Sequence, residues 1–177
     1  LPEKINSSEA NFESFTSAIN KALEDYEINT CIRKIHFLAQ AYHETGRFTK
    51  TYEVSPTSDV KGGPFYRGRG LIQLTHDYNY ENLKNKLKDN SNLVDFVPRV
   101  AKEIKLACQA AGYYWKNIGA KNGNISQYAD KDDVLTVSKE VNGYKKLQRL
   151  PNGYNERVYF TNQLKIIMKY GECENKK

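Results

Sequence analysis

Three cysteines in 177 residues, Cys31, Cys108 and Cys173, are too few, too scattered and odd in number for a disulfide framework. Cys31 and Cys108 fall within apolar helical patterns and read as core thiols. There is no Cys-x-x-Cys pair, which argues against a structural zinc site. No apolar run approaches the roughly 20 residues of a membrane span. With a mean hydropathy of −0.74, no membrane insertion is expected. No basic-then-apolar leader opens the sequence, so synthesis in a reducing cytoplasm without a secretory signal is the expectation. Internal repeats and long Pro/Gly/Ser linkers are also missing. Residues 1–177 therefore read as a single domain large enough for a sizeable core.

What is present begins with charge. The net charge is +6, which concentrates anionic partners: nucleic acid, anionic lipid or an acidic polymer. The basic residues are spread along the chain without a compact basic arm, which argues against nucleic acid as the partner.

Apolar periodicity predicts a mainly α-helical chain with a loop-rich face. Ser7 or Ser8 is a cap for a helix to about Tyr26, with Phe12, Phe15, Ile19 and Leu23 in line. Asn29 or Thr30 opens a second helix with Cys31, Ile35, Leu38 and Tyr42 on its apolar face, stopped by Gly46. Pro56, Gly62, Gly63 and Pro64 make 49–66 a loop with at most a short hairpin. Thr75 is a cap for a helix carrying Tyr80, Leu83 and Leu87. Pro98 suits the first turn of a helix aligning Val100, Ile104, Cys108, Ala111 and Trp115. A Gly/Asn-rich turn covers 119–124, and Asp132 or Asp133 caps a short helix ending at Asn142-Gly143. The last helix is predicted over about 155–170 with Val158, Leu164, Ile167 and Met168 buried, and 171–177 as a frayed tail.

The densest chemistry lies between Phe37 and Tyr80. Glu44, within His43-Glu44-Thr45-Gly46, and Glu53, nine residues on, bracket a glycine stop. Phe37 and Tyr42 flank Glu44, and a carboxyl that loses hydration beside such groups is kept protonated, as a general acid must be. On a continuous helix the two acids would stand roughly 13 Å apart. With the helix ended at Gly46 the chain turns back, and a gap of about 6.5–9.5 Å, wide enough for a water, becomes reachable. One acid to protonate a leaving oxygen and one carboxylate to activate water is the requirement for cleaving a sugar linkage. The opposed reading is that both are ordinary surface glutamates. Other chemistries fit worse. His43-Glu44 would need a second histidine at 47 for a zinc-protease motif, and Arg47 stands there. His36, seven residues before His43, reads as a packing residue. Gly68 and Gly70 lack the Gly-Lys-Ser/Thr ending of a phosphate loop. Gln73, Thr75 and Asn79 offer uncharged donors and acceptors suited to sugar hydroxyls and N-acetyl groups, while Tyr66, Tyr78 and Tyr80 offer stacking faces.

The segment FLAQAYHETGRF, then Glu53, then YRGRGLIQLTHDYNY resembles the glycoside hydrolase family 19 signature, the family of chitinases and of phage or bacterial endolysins. Its short spacing is closest to the endolysin branch. Val141-Asn142-Gly143 and Arg157 in ERVYF extend the likeness, which runs over about 10–170. The resemblance implies a lysozyme-like helical domain with a loop-rich catalytic cleft and at most a small β-hairpin. It implies Glu44 as general acid, Glu53 as general base and Thr75 as the hydroxyl that holds the water. Gln73, Asn79 and Asn142 become substrate-binding residues, and Arg157 pairs with and tunes the acids; His43 and Tyr66 join the substrate-binding set. Neither metal nor organic cofactor is required. Two departures bear on the cleft: Arg47 stands in place of a frequent second glycine, and the 144–154 segment is rich in Lys/Arg and contains Pro151-Asn152-Gly153. The implied function is a peptidoglycan hydrolase of muramidase type. It would be an endolysin or a secreted antibacterial effector, acting at the cell wall after export or lysis, and an effector would have an immunity protein as partner. A chitinase and a non-catalytic glycan-binding module are the alternatives.

Overall fold

The computed structural model describes residues 4–54, 59–144 and 150–173. The Pro56 turn, the basic centre of the 144–154 segment and the last four residues of the expected tail lie outside these. Nine α-helices occur among the described residues: α1 (Phe12–Asp25), α2 (Cys31–Glu44), α3 (Asp77–Lys86), α4 (Leu93–Lys102), α5 (Ile104–Asn117), α6 (Ser126–Ala129), α7 (Val134–Asn142), α8 (Tyr154–Ile167) and α9 (Tyr170–Cys173). Extended structure is confined, among the described residues, to two isolated antiparallel bridges, Tyr52 with Arg69 and Arg69 with Leu74. No described helix is long and apolar enough to cross a membrane.

α2 runs through the centre, as its composition demands: Ile32, Ile35, His36, Phe37, Ala39, Gln40 and Ala41 are all buried. The Thr30 hydroxyl caps its start by accepting from the Arg33 N–H. α1 packs on α5, and α2 packs on α8. The first core cluster gathers Phe37, Trp115, Ile125, Val137 and the inner face of α1. Trp115, fully buried, meets Phe37 edge-on at 5.4 Å and donates to Ser126 Oγ (2.9 Å), so its one polar atom is satisfied. α1 and α5 meet at Gly112, where a Cβ would lie 2.2 Å from the Tyr26 ring. A second cluster, Leu74, Tyr80, Leu83, Phe96, Val97, Val100, Leu106 and Ala110, joins α3, α4 and α5.

Several local expectations are corrected. Asn11, not Ser7 or Ser8, caps α1 by accepting from Ser14 N–H, and this leaves Phe12 outward, 85% exposed. Thr75 does not cap α3; its hydroxyl donates to the Gln73 carbonyl, and His76 at φ 79° occupies the cap position. Pro98 lies inside α4, and the chain breaks at Glu103 before α5 begins. α8 buries Arg157, Phe160 and Thr161, while Ile167 is exposed. Cys31 is not a free core thiol: it forms a disulfide with Cys173, the two Cα atoms 6.1 Å apart, which ties α9 to the start of α2. Residues 171–173 are therefore helical and anchored rather than frayed. Cys108 is a buried free thiol, as expected.

Candidate active site

Glu44 is the last residue of α2, and Thr45 fixes the turn that follows. The Thr45 hydroxyl donates to the Ala41 carbonyl (2.7 Å) and accepts from Phe48 N–H (2.8 Å). Behind Glu44 stands Arg157 of α8, its side chain 1% exposed. The guanidinium pairs with Glu44 Oε1, donates to Gln40 Oε1 and gives its Nε–H to the Asn152 carbonyl (3.0 Å). Gln40 in turn donates to Ser138 Oγ of α7 (3.1 Å). A buried arginine needs a carboxylate and filled donor sites; this one has three acceptors, two on α2 and one in the turn before α8. The effect on Glu44 is orientation: one carboxylate oxygen is held from behind.

Glu53 is held differently. Its N–H donates to the Gly68 carbonyl (2.8 Å), and the Gly68 N–H donates to Glu53 Oε2 (3.3 Å). Gly68 leaves room for the Gln73 side chain beside this pair: a Cβ there would stand 2.8 Å from Gln73 Oε1 and 3.0 Å from Gln73 Cβ, so Gln73 would have to shift. Gln73, at φ 55°, donates to the Gly70 carbonyl (3.3 Å), while its buried Oε1 has no hydrogen-bond partner among the described residues. Asn79 Nδ2 donates to the Thr75 carbonyl (2.7 Å).

Glu44, Glu53, Gln73, Thr75, Asn79 and Asn142 all line one open cleft of about 650 Å³. Its other walls include Tyr52, His76, Tyr78, Tyr114 and the backbone of Gly119 and Ala120. Polar, uncharged groups and aromatic faces around two carboxylates suit a ligand rich in hydroxyls and amides. Two expected residues lie elsewhere. The His43 ring sits against Gly153, with Nδ1 2.7 Å from Glu156 Oε2, in a small depression shared with Tyr42, Arg47 and Phe160. Tyr66 is half-buried beside Phe65 and Tyr80, off the cleft lining. Tyr80 is wholly buried core, so of the three tyrosines only Tyr78 faces the cleft, its ring stacked on His76 at 5.4 Å.

The far wall rests on a residue that the motifs did not single out. Glu140 of α7, fully buried, accepts from Lys121 N–H (2.9 Å), Asn122 N–H (3.3 Å), Asn122 Nδ2 (2.7 Å) and the Tyr144 hydroxyl (2.7 Å). Burial pushes its carboxyl up, but these donors together outweigh that and hold it below the ordinary range. Tyr114, pushed up by burial with the charges of Glu44 and Glu140 adding, donates to the Glu140 carbonyl (3.0 Å). The one sequence signal is a charge three residues after Val137, on the buried stripe of α7. Among the described residues, no group of three His, Cys, Asp or Glu side chains is placed to hold a metal.

No family model and no curated protein matches the chain. Solved structures do. Chitinase C from Streptomyces griseus HUT6037 superposes with a TM-score of 0.70 at 20% identity, over 86% of this chain and 69% of its own. A family 19, class IV chitinase from Zea mays gives 0.67 at 20% identity, over 90% and 81%. A bacterial family 19 chitinase gives 0.67 at 21%, over 85% and 87%. The chain has the family 19 chitinase fold. That fold is helical and lysozyme-like, as the motif resemblance implied.

Proposed function

We propose that the protein is an inverting glycoside hydrolase that cuts β-1,4 linkages in peptidoglycan. The observation that carries the reading is the placement of Glu44 and Glu53 on one cleft whose other walls are mostly uncharged polar and aromatic, with Lys50 at one edge. Arg157 holds Glu44 Oε1, so the proton of the acid sits on Oε2, and Glu44 gives it to the leaving glycosidic oxygen as the bond to the anomeric carbon breaks. A water adds to that carbon from the opposite face and passes its proton to Glu53. Glu53 Oε2 is occupied by the Gly68 N–H, leaving Oε1 to take that proton. The Thr75 hydroxyl spends its own hydrogen on the Gln73 carbonyl, so its lone pairs are open to orient the water. Glu53 then releases its proton to solvent, and solvent returns one to Glu44. No step calls on a metal or organic cofactor.

The net charge of +6 favours an anionic wall polymer over a neutral one. An endolysin or a secreted antibacterial effector is the biological setting that follows; an effector would meet an immunity protein at this cleft. Chitin is the second reading, supported by the fold neighbours, all described as chitinases. The test is mass spectrometry of borohydride-reduced fragments released from purified peptidoglycan, with Glu44→Gln as control. New reducing-end muramic acid that disappears in the variant supports muramidase action, and reducing-end glucosamine would make it a glucosaminidase. Release from chitin alone would establish the second reading. A Glu44→Gln variant with every cellular effect intact would instead favour a non-catalytic glycan-binding module.

A further inference from the structure

Beside the cleft lies a second depression, of about 680 Å³, between the start of α1 and residues 48–52. Its walls are apolar: Ile5, Phe12, Phe15, Phe48 and Ile104. The two depressions are contiguous, since Lys50 and Tyr52 line both. Phe12 is 85% exposed and Phe48 39%, with the Phe48 ring 4.9 Å from Phe15. Phe48 is held outward at φ 59° after Arg47 at φ 67°, a backbone that bulky side chains seldom adopt. The Thr45 hydroxyl and the Tyr42 carbonyl, which accept from the Phe48 and Arg47 N–H groups, hold that turn. Lys4 and Lys50 supply two ammonium groups at this surface. The single acid in the lining, Glu9, already accepts from the Ile104 N–H (2.7 Å).

An apolar floor with two ammonium groups suits a ligand with small aliphatic groups and carboxylates. A linear neutral glycan carries no such branch. A strand bearing short acidic peptides does, and a peptide leaving a sugar near the Lys50–Tyr52 edge would enter this groove. We infer that the α1 groove binds the carboxylate-bearing peptide substituent of the wall glycan, next to the strand held in the cleft. This rests on the peptidoglycan reading above.

The test compares kcat/KM on wall glycan fragments of one length, with their peptides intact and with the peptides removed by an amidase. The double variant Lys4→Glu/Phe12→Ser changes two exposed residues outside the cleft, so folding is preserved, and its melting temperature checks this. Wild type is expected to favour the peptide-bearing substrate by about tenfold, and the double variant to lose most of that preference. Peptide-free cleavage should change less than about twofold, the scale of a lost rim contact. Wild type cutting both wall substrates at equal rates would overturn the groove inference alone. So would an equal loss on both in the variant, which would make the groove a site for sugars. Wild type cutting only chitin would overturn the peptidoglycan reading, and the groove inference with it.

Discussion

The two carboxylates share a cleft but are held by opposite means. Glu44 depends on side chains distant in sequence: Arg157 is 113 residues away, and its other partners come from Gln40 and the Asn152 carbonyl. Glu53 depends on backbone, through two hydrogen bonds with Gly68 and the adjoining Tyr52–Arg69 bridge. A side-chain scaffold is sensitive to single substitutions, because removing one partner strands the others in a buried place. A backbone scaffold tolerates most side-chain changes but is disturbed by an added Cβ where a neighbouring side chain packs against a glycine, as Gln73 does at Gly68. The Glu44 side should therefore fail through loss of partners, and the Glu53 side through crowding.

The largest effects test the pair itself. Glu44→Gln and Glu53→Gln should each lower kcat by about 10²–10⁴-fold with folding intact, measured by product release on the preferred glycan. Near-full activity in Glu53→Gln would break the comparison by showing that another group is the base. Next, Arg157→Met should cost about 1–3 kcal/mol in urea unfolding, because buried Gln40 loses its donor and Glu44, part-exposed on the cleft, loses its ion pair. A loss below about 1 kcal/mol would mean that the ion pair does not hold Glu44. On the base side, Gly68→Ala should leave the urea midpoint near wild type. It should slow catalysis by about ten- to a hundredfold, since Gln73 must move from beside Thr75.

The smallest effect is on stability against pH. Burial keeps the His36 imidazole below its ordinary value, against the pull of Asp132 at 2.8 Å. The unfolded chain then takes up a proton that the folded chain resists, so stability falls as pH drops below about 6.5. A second decline should follow below about 4. There the Ser91 hydroxyl and N–H, with Arg99, hold Asp89 down to about 2, and stability present above its unfolded value is lost on acidification. Urea midpoints at pH 7.5, 5.5 and 3.5 check both, and His36→Gln should flatten only the first decline.

What was legible in the sequence was local. Gly46 and Gly143 marked the ends of α2 and α7, and the caps Thr30 and Asp133 were each one of two adjacent candidates, because caps and stops act within one turn. The cleft residues Gln73, Thr75 and Asn79 lie within seven positions and came together as a motif. What failed was competition between local partners and reach across the fold. Asn11 outcompeted Ser7 and Ser8 as a cap, and Thr75 spent its hydroxyl on Gln73 instead of on α3. The Cys31–Cys173 disulfide spans 142 residues, and no spacing rule reaches that far. His43 adjoins Glu44 in sequence, yet successive helix positions point in different directions, so its ring faces Gly153 rather than the cleft. Glu140 stayed hidden because three of its four donors, from Lys121 and Asn122, lie in a loop that only the fold brings to it.

The most direct test of two carboxylates flanking a water is the configuration of the first product, read by proton NMR within the first turnovers on a β-1,4-linked substrate. Inversion requires the α-anomer to appear first and then mutarotate, with no signal from Glu44→Gln. The β-anomer appearing first, or product release unchanged in Glu44→Gln, would contradict the account.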